Sequence, residues 1–125
     1  MARILIIDDE SQMVNVLTTF LEREGHVVVS ACNGKEGLNI LAGSCFDIVI
    51  TDIIMPERDG FEVLMSIKKM PTRPKIIAMS GGSPYLYKEN LLDISEKMKA
   101  DVVLSKPFQL SKLSDIIKEL LLEAL

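Results

Sequence analysis

The chain of 125 residues carries 14 Lys plus Arg against 18 Asp plus Glu, a formal net charge of −4, with 48% hydrophobic and 26% charged side chains, the make-up of one ordinary soluble globular domain. A chain of this length buries roughly two-thirds of the surface its unfolded form exposes, so it needs neither disulfides nor a structural metal to fold. No apolar run approaches the ~20 residues of a membrane span, the opening run Ile4-Leu5-Ile6-Ile7 is too short and too quickly followed by acids for a signal peptide, and a pI near 5.0 with no basic run argues against phosphate-neutralising nucleic-acid binding by the whole domain; the expectations are a cytoplasmic location, no membrane insertion and no direct nucleic-acid contact.

Apolar runs and helical periods alternate without a repeat or a linker, so residues 1–125 read as one domain. Arg3 to Asp8 is a short β-branched run, followed by Met13, Leu17, Phe20 and Leu21 at helical spacing up to Gly25. Val27 to Ala31 reads as a second strand, Asn33-Gly34 as a turn, and Lys35 to Ala42 as a short helix with Leu38 and either Leu41 or Ala42 inward. Phe46 to Thr51 is a third strand, continuously apolar through Ile48, Val49 and Ile50, as a strand covered on both faces should be. A helix over 61–69 is closed by Pro71 and Pro74, and Lys75 to Ser80 is a fourth strand. Ser83-Pro84 then caps a helix faced by Tyr87, Leu91, Ile94 and Met98; Asp101 to Leu104 is a fifth strand, and a stripe from Leu110 to Ala124 makes a last helix.

Five such units imply a doubly wound α/β fold, a five-stranded parallel sheet flanked by five helices, because parallel neighbours need crossovers. Ligands of such folds sit at the carboxyl ends of the strands. Those ends carry Asp8-Asp9, Asp52, Ser80-Gly81 and Lys106-Pro107. Two carboxylates about 4 Å apart repel by roughly 4 kcal/mol at an effective dielectric near 20, so three in one crevice hold either a proton or a cation. With only oxygen donors on offer, Mg²⁺ or Mn²⁺ suits them better than zinc or copper. Lys106 and Ser80 stand where phosphoryl oxygens could be neutralised, and the central Asp52 is the natural nucleophile. Taken singly, Asp8-Asp9-Glu10 reads as a helix cap, Asp52 as a turn residue and Lys106-Pro107 as a connector; their joint placement at one rim carries the inference. His26, in a turn, reads as a satisfied or solvent-facing imidazole, and Cys32 and Cys45, without CxxC spacing, as small apolar fillers.

Ile6-Ile7-Asp8-Asp9-Glu10, Asp52-Ile53-Ile54-Met55-Pro56 with Asp59-Gly60, Ser80-Gly81 and Lys106-Pro107-Phe108, in that order over nearly the whole chain, resemble the receiver domain of two-component response regulators. The resemblance implies a flavodoxin-like sheet of order 2-1-3-4-5. It implies a phosphorylation switch, with Asp52 taking the phosphoryl group from the phosphohistidine of a sensor histidine kinase or phosphotransfer protein. Mg²⁺ would be held by Asp8, Asp9, Asp52 and the backbone carbonyl of Ile54. Lys106, the Ser80 hydroxyl and the Gly81 amide would bind phosphoryl oxygens, and a Lys106-Pro107 bond is often cis. The output would be a changed surface of the fourth helix, fifth strand and last helix, read by a downstream protein, and the domain would assist only its own phosphorylation and dephosphorylation. Three positions depart from the family pattern. Val103 stands where many receivers carry an aromatic ring, the run from Ser80 to Lys106 is longer than usual, and Ile54 is apolar where many relatives are polar, which would hinder an attacking water. The competing readings are an Mg²⁺-dependent phosphatase working through an aspartyl phosphate, a nucleotide or flavin binder of similar topology, whose phosphate Asp8-Asp9-Glu10 would repel, and a degenerate receiver acting only as a docking module.

Overall fold

The computed structural model of the chain describes residues 1–52, 59–81 and 100–123. In chain order these form β1 (Arg3–Ile7), α1 (Ser11–Arg23), β2 (Val27–Ala31), α2 (Gly34–Gly43), β3 (Ile48–Asp52), α3 (Asp59–Lys68), β4 (Lys75–Gly81), β5 (Val102–Lys106) and α4 (Leu110–Glu123). All strands are parallel and the order across the sheet is β2-β1-β3-β4-β5, as the resemblance implies. The helix expected over 83–98 and Ile54 lie outside the described residues.

The period-2 alternation of the strands builds two apolar layers. Ile4 and Ile6 of β1, Ile48 and Ile50 of β3, Ile77 and Met79 of β4 and Leu104 of β5 pack against Leu17 and Leu21 of α1 and Leu113, Ile117 and Leu120 of α4. The alternate residues Leu5, Ile7, Val49 and Ile76 pack against Leu41 of α2 and Val63, Leu64 and Ile67 of α3. Every residue of β3 is buried, the mark of a central strand covered on both sides.

Local signals fix the boundaries. α1 ends where Gly25 takes a φ of 91°, with Gly25 N–H donating to Glu22 O at 3.0 Å and His26 N–H to Leu21 O at 3.1 Å, so the glycine turn closes the last carbonyls of the helix. Asn33 caps α2, its side chain accepting from the Glu36 amide at 2.8 Å. β3 starts at Ile48, two residues later than the apolar run suggests, because the Asp47 carboxylate accepts from Arg3 N–H at 2.8 Å while the Asp47 amide donates to Arg3 O at 2.9 Å. Asp101 repeats the device before β5, accepting from Ile76 N–H at 2.7 Å and donating to Ile76 O at 3.0 Å. Two aspartates therefore stand in for ladder partners at the starts of strands.

Two sequence expectations need correction or refinement. Cys32 and Cys45 are exposed, not buried fillers; the Cys32 thiol donates to the Glu36 carboxylate at 2.9 Å, a polar pairing that keeps it at the surface. His26 is half-buried and satisfied, its Nδ1 accepting from Ala2 N–H at 3.1 Å.

Candidate functional site

The alternation that makes one core layer also makes the site. On β1 the column Ile4-Ile6 continues into Asp8, on β3 Ile48-Ile50 continues into Asp52, and on β5 Val102-Leu104 continues into Lys106, so three apolar columns end in three charged tips at one rim. The fifth strand, expected to stop at Leu104, runs on to Lys106, because Ser105 and Lys106 pair with Ser80 and Gly81 of β4.

At that rim one carboxylate oxygen from each of Asp8, Asp9 and Asp52 lies within 4.8 Å of the others. Asp8 and Asp52 are buried and Asp9 is exposed. The Lys106 Nζ reaches into the cluster, 3.4 Å from Asp52 Oδ2, 3.5 Å from Asp8 Oδ2 and 4.0 Å from Glu10 Oε2. Burial pushes the Asp8 carboxyl up from its ordinary value, against the opposing pull of the Glu10 amide, which donates to it at 2.9 Å, and of the Lys106 charge. Burial alone would lower the Lys106 ammonium, but the Asp52 and Asp8 charges outweigh it and hold the ammonium above its ordinary value. The crevice thus concentrates more negative charge than one lysine balances. Its donors are oxygens alone, a set that fits a hard divalent cation.

Among the expected site residues, the structure brings Asp8, Asp9, Asp52 and Lys106 together. Ser80 and Gly81 end β4 between the strands of Asp52 and Lys106, Gly81 in register with Lys106. The Lys106–Pro107 peptide bond is cis. The reading of Glu10 as a helix cap is half right: it occupies the position before α1, but its side chain makes no capping bond and lies near Lys106 instead. That contact was missed in the sequence, where only its adjacency to Asp8-Asp9 could have signalled it.

Comparison with known proteins agrees. The family model of the response regulator receiver domain matches residues 4–118. The chain belongs to the response regulator receiver family. Among curated relatives, the probable transcriptional regulator ycf27 of Cyanidium caldarium is 35% identical, over 94% of this chain and 45% of its own length. A receiver-domain protein of Clostridium thermocellum superposes with a TM-score of 0.87 at 32% identity, covering 99% of this chain and 97% of that one. The response regulator TrrA of Thermotoga maritima, solved in complex with Mg²⁺-BeF, superposes with a TM-score of 0.81 at 34% identity, covering 96% of this chain and 99% of that one. The chain spans about half the length of the curated relatives it matches. As a receiver domain it has a phosphorylation-dependent signalling role in a two-component system. No helix among the described residues is long and apolar enough to cross a membrane. Within the receiver, Val103 lies half-buried on β5 in register with Ala78.

Proposed function

We propose that residues 1–125 form one receiver domain whose Asp52 accepts a phosphoryl group from the phosphohistidine of a sensor histidine kinase or phosphotransfer protein. The observation that carries this reading is the gathering of three carboxylates and Lys106 at one rim of the sheet.

The residues take separate parts. An Asp52 carboxylate oxygen attacks phosphorus, the P–N bond to the donor imidazole breaks, and its electron pair stays on the ring nitrogen. The Asp52 carboxylate loses its negative charge on forming the acyl phosphate, so Lys106, already 3.4 Å away, turns its ammonium to the phosphoryl oxygens. The Ser80 hydroxyl and the Gly81 amide bind a further oxygen, which couples the site to the surface beside β5 and α4 that a downstream protein reads. Asp8, Asp9 and Asp52 would hold Mg²⁺, or Mn²⁺ in its place, with the backbone carbonyl of Ile54 as the further ligand that the resemblance implies, and the ion would supply positive charge for a phosphoryl group that the carboxylates otherwise repel. The domain assists its own phosphorylation and dephosphorylation and turns over no other substrate.

The test is incubation with acetyl phosphate, followed by intact-mass measurement. Wild type should gain one phosphoryl group with Mg²⁺ and Asp52→Asn none; equal gain by both proteins refutes Asp52 as the acceptor.

A further inference from the structure

At the opposite rim of the sheet, an apolar cavity of about 210 Å³ opens between the start of β3 and the α3–β4 connection. Leu41, Cys45, Phe46, Met70, Thr72 and Pro74 are among its lining residues. The volume is smaller than the roughly 300 Å³ at which ordinary ligand pockets begin, and suits a single large side chain.

The chain beside the cavity is basic. Lys68, Lys69, Arg73 and Lys75 crowd the run 68–75 without an acid, in a protein whose net charge is −4. Lys69 and Arg73 are exposed and directly adjoin the lining residues Met70, Thr72 and Pro74. The Arg3 guanidinium lies 5.3 Å from the centroid of the Phe46 ring, adding a further cation to the same edge. The neighbouring acids are engaged: the Asp47 carboxylate takes the Arg3 amide at 2.8 Å, and Glu123 sits 3.9 Å from Lys75.

We propose that this cavity and its basic rim form a docking site for an acidic segment of a partner protein, one large apolar side chain filling the cavity while flanking Asp or Glu residues face Lys69, Arg73 and Arg3. The apolar centre favours a protein segment over nucleic acid, whose phosphates would gain from the cations but nothing from the cavity. Phe46 precedes β3 and Asp52 ends it, roughly 20 Å along the strand at about 3.3 Å per residue, so a docked partner leaves the phosphoacceptor open. Docking is therefore independent of phosphorylation, and its failure would leave the role of Asp52 untouched.

The experiment titrates two acidic peptides into the ¹⁵N-labelled chain, one with a single Phe among Asp and Glu residues and one with Ala in its place. The Phe peptide should saturate and shift the amides of residues 41–46 and 69–75, and the Ala peptide should bind about tenfold more weakly. The double variant Lys69→Glu/Arg73→Glu should lose about tenfold in affinity for the Phe peptide while keeping its folded amide spectrum; Asp52→Asn should bind as wild type does. Equal affinity for the two peptides, shifts confined to other residues, or tighter binding of duplex DNA or phosphatidylserine vesicles at the same rim would overturn the proposal.

Discussion

Lys106 Nζ lies 3.4 Å from Asp52 Oδ2 although the two residues end strands that are not neighbours, with β4 between them. The same amine lies 3.5 Å from Asp8 Oδ2, one residue past the end of β1. One flexible cation thus ties together the ends of three strands, in a pocket where burial opposes the Asp8 charge.

Removal of that cation should destabilise the metal-free protein. Lys106→Met leaves two buried carboxylates facing each other and should cost about 1–3 kcal/mol in urea unfolding. Asp8→Asn should act in the opposite direction, raising stability by about 1 kcal/mol, since the amide keeps an oxygen for the Glu10 N–H and sheds a charge that burial disfavours. The pH dependence follows from the direction of the Asp8 shift. A carboxyl raised above its unfolded value of 3.8 favours the fold while protonated, and that contribution is lost as pH rises through the folded value. The stability gap between Asp8→Asn and wild type should therefore widen as pH rises from 3.8 towards neutrality. A gap that narrows over that range would contradict the account.

Mg²⁺ should raise the urea midpoint of wild type at neutral pH by binding only the folded chain, about 1.4 kcal/mol at ten times its Kd. Asp9→Asn should lose most of this gain without loss of metal-free stability, because Asp9 is exposed. An equal Mg²⁺ response in both proteins would remove Asp9 from the metal site.

Gly37 is a buried residue of α2 that faces Ile7 of β1. A Cβ placed there would sit 2.5 Å from Ile7 Cδ1 and 2.9 Å from Ile7 Cγ1, and Ile7 is fully buried. The better helix propensity of alanine, worth about 1 kcal/mol, is therefore outweighed by overpacking of about 1–3 kcal/mol. Gly37→Ala should melt lower than wild type, whereas Gly43→Ala, with nothing within 4 Å of the added atom, should not.

Cys32 should react slowly with iodoacetamide. The Glu36 carboxylate, first by accepting a hydrogen bond from the thiol and then through its charge, holds the Cys32 thiol above its ordinary value and so depletes the thiolate. In a Cys45→Ser background, Glu36→Gln should speed alkylation at pH 7–8, where the thiolate fraction limits the rate; an unchanged rate would show that the carboxylate does not control the thiol.

The strands and the acidic rim were legible in the sequence for a physical reason. A buried parallel strand announces itself as an unbroken apolar run, as in Ile48-Val49-Ile50, and the topology then forces Asp8, Asp52 and Lys106 to one edge without any knowledge of their contacts. Features made by side-chain reach were not legible. The approach of Glu10 to Lys106 spans a loop and a strand far apart in sequence, and the aspartates at 47 and 101 act by substituting a carboxylate for a backbone acceptor, which no periodicity encodes. Cys32 misled because the expectation rested on residue type, while its place was decided by the carboxylate four positions ahead.

The most direct test of the account locates the modified residue. After reaction with a small phosphodonor, borohydride reduction converts a phosphorylated aspartate to homoserine, and peptide sequencing by mass spectrometry reads its position. Homoserine at position 52 alone, formed with Mg²⁺ and lost in chelator, is the predicted result. Homoserine at position 8 or 9, or equal yield in chelator, would contradict an acidic cluster that holds a cation to ready Asp52.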